Sequence, residues 1–186
     1  MSSFKIVVLG AGAVGKTAMI QRFITGTFPS CYNPSIEDTY NHNITFDGEE
    51  IALTIEDLYR CEDYEPILLH CIREGNGFLI VYEVGNEESF RQVESNLEMV
   101  RRVKECSCPV VICGNKIENE EGRVIGFREG QEFAQEHGCD FFEVSALRNT
   151  GIDEVFTTLV RKMKENSLPE KKVEDDHFPR EMCLLF

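Results

Sequence analysis

The stretch that decides the fold runs from Phe4 to Thr17 and reads F-K-I-V-V-L-G-A-G-A-V-G-K-T. It opens with an apolar run, Ile6 to Leu9, that is too short for a helix and rich in β-branched residues, which predicts a buried strand. The pattern G-x-x-x-x-G-K-T follows directly, and a helical pattern with Ile20, Phe23 and Ile24 on one face comes next. A strand, a glycine-rich turn and a helix in this order are typical of a phosphate site.

The chemistry of this turn favours a bound polyphosphate. Glycines at positions 10 and 15 let the backbone curl with its N–H groups pointing inward, and the helix that follows adds the positive end of its dipole. The Lys16 ammonium can reach the outer phosphates, and the Thr17 hydroxyl can bind Mg²⁺. The residues predicted to line the cradle are Gly10, Ala11, Gly12, Ala13, Val14, Gly15, Lys16, Thr17 and Ala18.

Composition sets broad limits on the function. The chain has 186 residues, of which 42% are hydrophobic and 28% charged, as expected for one globular domain with a sizeable core. Its formal net charge of −14 argues against nucleic acid as the main partner, because phosphate contacts along a strand need Lys and Arg. We expect the 8 cysteines to be reduced thiols of a cytosolic protein.

Strand and helix patterns alternate along the rest of the chain. Predicted strands span Thr39–Phe46, Glu50–Glu56, Phe78–Val84, Pro109–Cys113 and Phe141–Val144. Predicted helices span Pro66–Glu74, Glu87–Lys104, Arg128–His137 and a segment capped by Thr150. Asp47-Gly48 is typical of a hairpin turn, and Thr25–Asp38 is predicted as a long functional loop. These patterns predict an α/β fold with a mostly parallel six-stranded sheet, one antiparallel strand, and helices on both faces.

Two motifs fall where strands end, which is where such a sheet binds ligands. Asp57 can hold Mg²⁺ opposite Thr17, usually through a water, although an exposed strand-end carboxylate is the alternative. Asn115-Lys116-Ile117-Glu118 follows a buried strand. A carboxylate at position 118 can accept hydrogen bonds from the guanine N1–H and exocyclic amine, a donor pair that adenine lacks. Asn115 can brace the phosphate loop and the Lys116 stem can cover the base; a solvated loop is the alternative.

With these motifs in place, the chain resembles a Ras-family small GTPase from Phe4 to about Asn166, and again in its last four residues. The resemblance implies a small G-protein type of P-loop NTPase fold that binds GTP or GDP with Mg²⁺. It implies that Phe28 packs against the base, that a backbone N–H near Ser145 and Ala146 reads the guanine O6, and that Leu147 covers the base in place of a Lys. The segment most similar to the family is its effector loop, here Tyr32, Asn33, Pro34, Ser35, Ile36, Glu37, Asp38, Thr39 and Tyr40.

The departures from the family pattern predict altered chemistry. Ser35, expected as a third Mg²⁺ ligand with Thr17 and Asp57, replaces Thr, so we expect a more mobile first switch. Tyr32 and Pro34 are expected to contact the nucleotide. Glu118 replaces Asp and is one methylene longer, which predicts looser guanine selectivity.

The second switch departs furthest from the family. Where the family has D-T-A-G-Q, this chain has Asp57-Leu58-Tyr59-Arg60-Cys61. A thiol is a poor substitute for the Gln that orients the attacking water, so slow hydrolysis is predicted. Arg60 could act as an arginine finger in cis or lie exposed on a loop. The residues predicted to take part in catalysis are Lys16, Ser35, Arg60 and Cys61.

The C-terminal residues Cys183-Leu184-Leu185-Phe186 fit C-a-a-X, with Phe favouring geranylgeranyl on Cys183. The predicted domains are a G domain over residues 1–166 and a flexible tail over 167–186. Because the tail has neither a second cysteine nor a basic cluster, we expect reversible attachment. The expected location is the cytoplasmic face of a membrane, with the plasma membrane favoured, and a cytosolic pool.

Two other functions stay open from the sequence. One is a pseudo-GTPase, a module that holds GTP without useful turnover and binds effectors constitutively. The other is a P-loop kinase that uses ATP, although no arginine-rich lid segment is present. As a switch, the protein is expected to need effector proteins, an exchange factor and a GTPase-activating protein.

Overall fold

The computed structural model describes residues 2–29, 37–58, 65–104 and 108–167. The strands are β1 (Ser2–Gly10), β2 (Glu37–Phe46), β3 (Glu49–Leu58), β4 (Gly77–Glu83), β5 (Val110–Asn115) and β6 (Asp140–Glu143). The helices are α1 (Lys16–Thr25), α2 (Glu65–Glu74), α3 (Glu87–Lys104), α4 (Phe127–Glu136) and α5 (Ile152–Ser167). One sheet has the order β2-β3-β1-β4-β5-β6, in which β2 and β3 pair antiparallel and all other neighbours pair parallel. The predicted fold class is confirmed.

Strand β1 lies inside the sheet and is buried on both faces. Ile6 and Val8 pack into a core with α1 and α5, whereas Val7 and Leu9 pack into a second core with α2, α3 and α4. A strand covered on both faces needs apolar residues at successive positions rather than at alternate ones. This explains the continuous apolar run in the sequence, and it places helices on both faces of the sheet.

The order of the strands reverses at β1, since β3 lies on one side of it and β4 on the other. Ligands of parallel α/β sheets bind at the carboxyl ends of the strands where the order reverses. The pairing brings Asp57 of β3 beside Val8, and Val81 of β4 beside Gly10. The turn that follows β1 therefore sits next to the end of β3.

The hairpin between β2 and β3 is confirmed. Asp47 has φ +51° and Gly48 has φ +78°, the pair of positive values that a two-residue hairpin turn requires. Strand β2 begins earlier than expected, because Glu37 and Asp38, predicted as loop, pair with Leu58 and Asp57.

The predicted cap of the last helix is wrong. Helix α5 begins at Ile152, and the backbone of Thr150 instead pairs with Ser145 in an isolated bridge. The helix ends at Ser167, and the tail beyond it lies outside the described residues, so the division near residue 166 stays a prediction.

Candidate functional site

The turn between β1 and α1 is tightly folded around two glycines. Gly10 has φ +146°, and a Cβ there would lie 2.1 Å from the Val81 carbonyl oxygen. Gly15, the N-cap of α1, has φ +98°, and a Cβ there would lie 2.3 Å from Asn115 Nδ2. Side chains are excluded at both positions by space and by backbone conformation. The two glycines therefore let the turn pack directly against β4 and the end of β5.

Lys16 is buried within the turn, with only 7% of its surface exposed. Its Nζ donates to the Gly10 carbonyl oxygen at 3.1 Å and to that of Ala11 at 2.9 Å. Burial lowers the pKa of this ammonium, and the nearby Asp57 carboxylate partly opposes the shift. A buried cation of this kind is stabilised by an anion in reach, which fits a phosphate held by the same turn.

Two oxygen-bearing side chains meet beside the turn. Thr17 Oγ1, on the first turn of α1, donates to Asp57 Oδ2 at 2.5 Å. Asp57 is buried near the end of β3. Mg²⁺ takes oxygen ligands and commonly keeps waters or phosphate oxygens beside one or two protein groups. The pair fits such an ion, although the part of the chain that the structure describes has no group of three or more His, Cys, Asp or Glu able to hold a metal.

Asn115 connects the phosphate-type turn to a second loop. Its Nδ2 donates to the Val14 carbonyl oxygen at 2.9 Å, and its Oδ1 accepts from the Ala146 N–H at 3.2 Å. The side chain is buried, so both contacts are shielded from water. Asn115 therefore contacts the turn, as its predicted bracing role requires, and it also contacts the loop that contains Ala146.

Lys116 makes a further connection. It has φ +66°, and its Nζ donates to the Ala13 carbonyl oxygen at 2.8 Å and to Glu83 Oε2 at 2.7 Å. Ala13 itself has φ +61°, a left-handed conformation that a non-glycine residue seldom adopts. The side chain of Lys116 therefore connects the turn to the end of β4. The sequence did not predict Glu83 as its partner.

The loop after β6 is held from several sides. Ser145 is buried and forms the backbone bridge with Thr150, and its Oγ accepts from the Arg148 N–H at 2.8 Å. Ala146 is also buried, whereas Leu147 is 51% exposed. Leu147 therefore presents an apolar side chain at the surface beside two buried residues of the same loop.

Glu118 carries a feature that points to a donor-bearing ligand. Its Oε2 is buried and has no hydrogen-bond partner among the residues that the structure describes. A buried oxygen without a donor is costly, by about 1–3 kcal/mol. A ligand with N–H groups, as the resemblance implies for guanine, would satisfy it.

Comparison with protein families agrees with this geometry. The family model described as "Ras: Ras family" matches residues 5–165. The chain belongs to the Ras family. Its fold is the small G-protein type of P-loop NTPase, and Ras-family proteins are small GTPase-type nucleotide-binding switches that generally bind guanine nucleotide and Mg²⁺. The family also implies regulators and effectors in general.

Several residues predicted for this Ras-family site lie outside the described residues. They are Tyr32, Asn33, Pro34, Ser35 and Ile36 of the effector loop, Arg60 and Cys61 of the second switch, and Cys183. The remaining effector residues, from Glu37 onward, form the start of β2. Thr39 Oγ1 donates to Glu56 Oε2 at 2.7 Å, and burial raises the pKa of Tyr40.

Arg22, on the last turn of α1, borders the candidate site of this Ras-family chain, and the sequence did not predict its contacts. Its guanidinium contacts the loop after β6, the end of its own helix and the ring of Phe28. A basic residue beside a helix C-terminus, followed by Gly26, predicts a local capping contact. The partners in the loop are more than a hundred positions away in sequence, and no local pattern indicates them.

No helix in the described part of this Ras-family chain is both long and apolar enough to cross a bilayer.

Proposed function

We propose that this Ras-family protein is a signalling switch that binds GTP or GDP with Mg²⁺ and hydrolyses GTP slowly. The observation that carries the proposal is the junction of three elements at one edge of the sheet. Hydrogen bonds join three parts of the site: the glycine turn with Lys16, the Thr17–Asp57 pair, and the loop that begins at Asn115. Lys16 and the turn amides would hold the phosphates, while Thr17 and Asp57, joined by Ser35 in the GTP form, would hold Mg²⁺.

Guanine selectivity is proposed to come from the loops at the other end of the site. Glu118, with its unpartnered buried oxygen, would accept from the base, and the Ala146 region would offer a backbone N–H. The two faces of the guanine base would be covered by the Lys116 stem, Leu147 and Phe28. Because Asn115, Lys116, Ser145 and Ala146 follow the Ras pattern and Glu118 keeps a carboxylate at its position, the kinase alternative is disfavoured.

Slow hydrolysis is proposed from the second switch of the sequence. Cys61 stands where Ras-family proteins carry the Gln that orients water, and a thiol is a weak donor and acceptor. The same substitution favours a second candidate function, a pseudo-GTPase that binds effectors without useful turnover. An arginine finger can be worth about 10³-fold or more in rate, so Arg60 is the residue that could restore turnover.

Effector binding is proposed for the segment from Tyr32 to Tyr40, whose conformation would follow the nucleotide state. Geranylgeranylation of Cys183 would give reversible attachment to the cytoplasmic face of a membrane, the plasma membrane being favoured, with a cytosolic pool. Comparing membrane recovery of the unmodified chain and a Cys183→Ser variant tests this attachment, and equal recovery would contradict it.

The test of the switch is a single-turnover time course with stoichiometric GTP on four proteins. They are the unmodified chain, Cys61→Gln, Arg60→Ala and, as a control at a distant thiol, Cys139→Ala. We expect Cys61→Gln to hydrolyse faster than the unmodified chain and the control. A detectable but slow rate in the unmodified chain supports the switch, no turnover supports the pseudo-GTPase, and a rate unaffected by Cys61→Gln contradicts the proposed cause.

A further inference from the structure

The Arg22 guanidinium joins three segments that are far apart in sequence. Nε donates to the Ala146 carbonyl oxygen at 3.0 Å, and Nη2 donates to that of Leu147 at 2.9 Å. Nη1 donates to the Gly26 carbonyl oxygen at 2.7 Å. The guanidinium carbon also lies 5.8 Å from the centre of the Phe28 ring, within the range of a cation–π contact.

Only part of this arrangement is explained by helix capping. The bond from Nη1 to Gly26 satisfies a carbonyl just beyond the end of α1, and any long basic side chain could supply it. The two bonds to Ala146 and Leu147 cross to another loop and use the fixed fork of the guanidinium. A lysine has a single ammonium nitrogen, so one atom would have to serve three carbonyls that the guanidinium reaches with three separate nitrogens.

The fork fixes how the loop after β6 presents its groups. In a trans peptide the carbonyl and the following N–H point to opposite sides. Since the Ala146 carbonyl faces Arg22, the Leu147 N–H faces away from it. The Ala146 N–H points to Asn115 Oδ1, the residue that braces the phosphate-type turn. Arg22 therefore holds the carbonyl of Ala146, and Asn115 holds its N–H.

The same guanidinium contacts two residues whose side chains are apolar and exposed. It donates to the backbone carbonyl of Leu147 and lies over the ring of Phe28. Phe28 is 42% exposed and Leu147 is 51% exposed, and both belong to the few large hydrophobic residues that are exposed within the described ranges. Both residues therefore border the same guanidinium. An aromatic ring and a leucine in this arrangement suit the two faces of a flat heterocycle.

We propose that Arg22 is a positioning residue that sets how long a guanine nucleotide stays bound. It holds Leu147 and Phe28 in place as the apolar cover of the base. It also orients the peptide groups of Ala146 and Leu147 in the loop after β6. This inference rests on the proposed function, because it concerns the same nucleotide site. This positioning requires the several N–H donors of the guanidinium, and a positive charge alone does not suffice.

The test measures the release of fluorescent GDP from the full-length protein into excess unlabelled GDP, with Mg²⁺ and again with EDTA. The variants are Arg22→Gln and Arg22→Lys, and the control is Arg91→Gln, an exposed helical arginine paired with Glu87. Both Arg22 variants are expected to release GDP on the order of tenfold faster than the control. The fold-acceleration by EDTA is expected to be the same in all proteins, because the metal side of the site is untouched.

Each other outcome overturns the inference. Release from Arg22→Gln at the rate of Arg91→Gln would show that the contacts are dispensable. Faster release together with a lost EDTA response would show general loosening of the site. Slow release from Arg22→Lys would show that charge suffices, and this variant decides the matter if Arg22→Gln does not fold. Failure of the unmodified chain to bind GDP would instead refute the proposed function itself.

Discussion

Ala13 is the residue at which the phosphate-type turn carries strain. It has φ +61°, and a Cβ in this left-handed region costs roughly 1–2 kcal/mol. The conformation is held in place by what surrounds it, since the Ala13 carbonyl oxygen accepts from Lys116 Nζ at 2.8 Å. An alanine at this position therefore has a physical cost that a glycine would not have.

Replacing this alanine should therefore stabilise the protein. We expect Ala13→Gly to raise the free energy of unfolding by up to about 1 kcal/mol, because the relief of strain exceeds the added freedom of the unfolded chain. The matched control is Ala18→Gly inside α1, where the same change should lower stability by about 1 kcal/mol. Urea unfolding measures both. A loss in Ala13→Gly as large as that in Ala18→Gly would show that the strain is absent.

At the scale of elements, the unit formed by β1, the turn and α1 depends on two glycines that differ in their surroundings. Gly15 and Gly26 flank the same helix with φ +98° and +70°. A Cβ on Gly15 would press on Asn115 Nδ2, whereas a Cβ on Gly26 would meet nothing within 4 Å. An alanine at either position would therefore be strained by the positive φ. Only an alanine at position 15 would also clash with the Asn115 side chain.

The two alanine variants separate these effects. Gly26→Ala should lower stability by about 1–2 kcal/mol and leave nucleotide binding intact. Gly15→Ala should lower stability further and also release nucleotide, because it displaces Asn115 from Val14 and Ala146. Unfolding curves and nucleotide content after purification measure the two effects. Equal behaviour of the variants would mean that the brace plays no part in binding.

The elements also show how far sequence reasoning reaches. The existence and type of every described element were predictable, because the apolar runs and helical periods are long and the glycine turn has fixed spacing. Strand ends were not, since Glu37, Asp38 and Asn115 are in strands only because they pair with neighbours. The contacts of Arg22 and of Glu83 could not be predicted from the sequence either. They join residues that are distant in the chain and become neighbours only in the folded protein.

At the scale of the whole molecule, each of the two cores buries an ionisable group. Cys113 lies in the core with α1 and α5, and Tyr82 lies in the core with α2, α3 and α4. Burial raises the pKa of both side chains above their ordinary values. The folded protein keeps these protons where the unfolded chain releases them, so the contribution of these two groups to stability falls as the pH rises through the alkaline range.

The Cys113 thiol should determine the pH at which the free energy of unfolding begins to fall. Its ordinary pKa is 9.0, so from there upward Cys113 contributes a slope of up to about 1.4 kcal/mol per pH unit. We expect Cys113→Ala to flatten the fall in unfolding free energy between about pH 9 and 10. Ile112→Val, a neighbouring buried change without an ionisable group, should lower stability equally at each pH. An unchanged slope in Cys113→Ala would exclude this thiol as the cause.

The central claim is that the turn from Gly10 to Thr17 holds a guanosine polyphosphate. The most direct measurement denatures purified protein and quantifies the released nucleotide per chain. It compares the unmodified protein, Lys16→Ala and the control Lys162→Ala, which removes a partly exposed lysine of α5 that pairs with Asp140. The account predicts guanine nucleotide on the unmodified protein and the control, and at least about tenfold less on Lys16→Ala. Equal guanine nucleotide on all three proteins, or none on the unmodified protein, would contradict it.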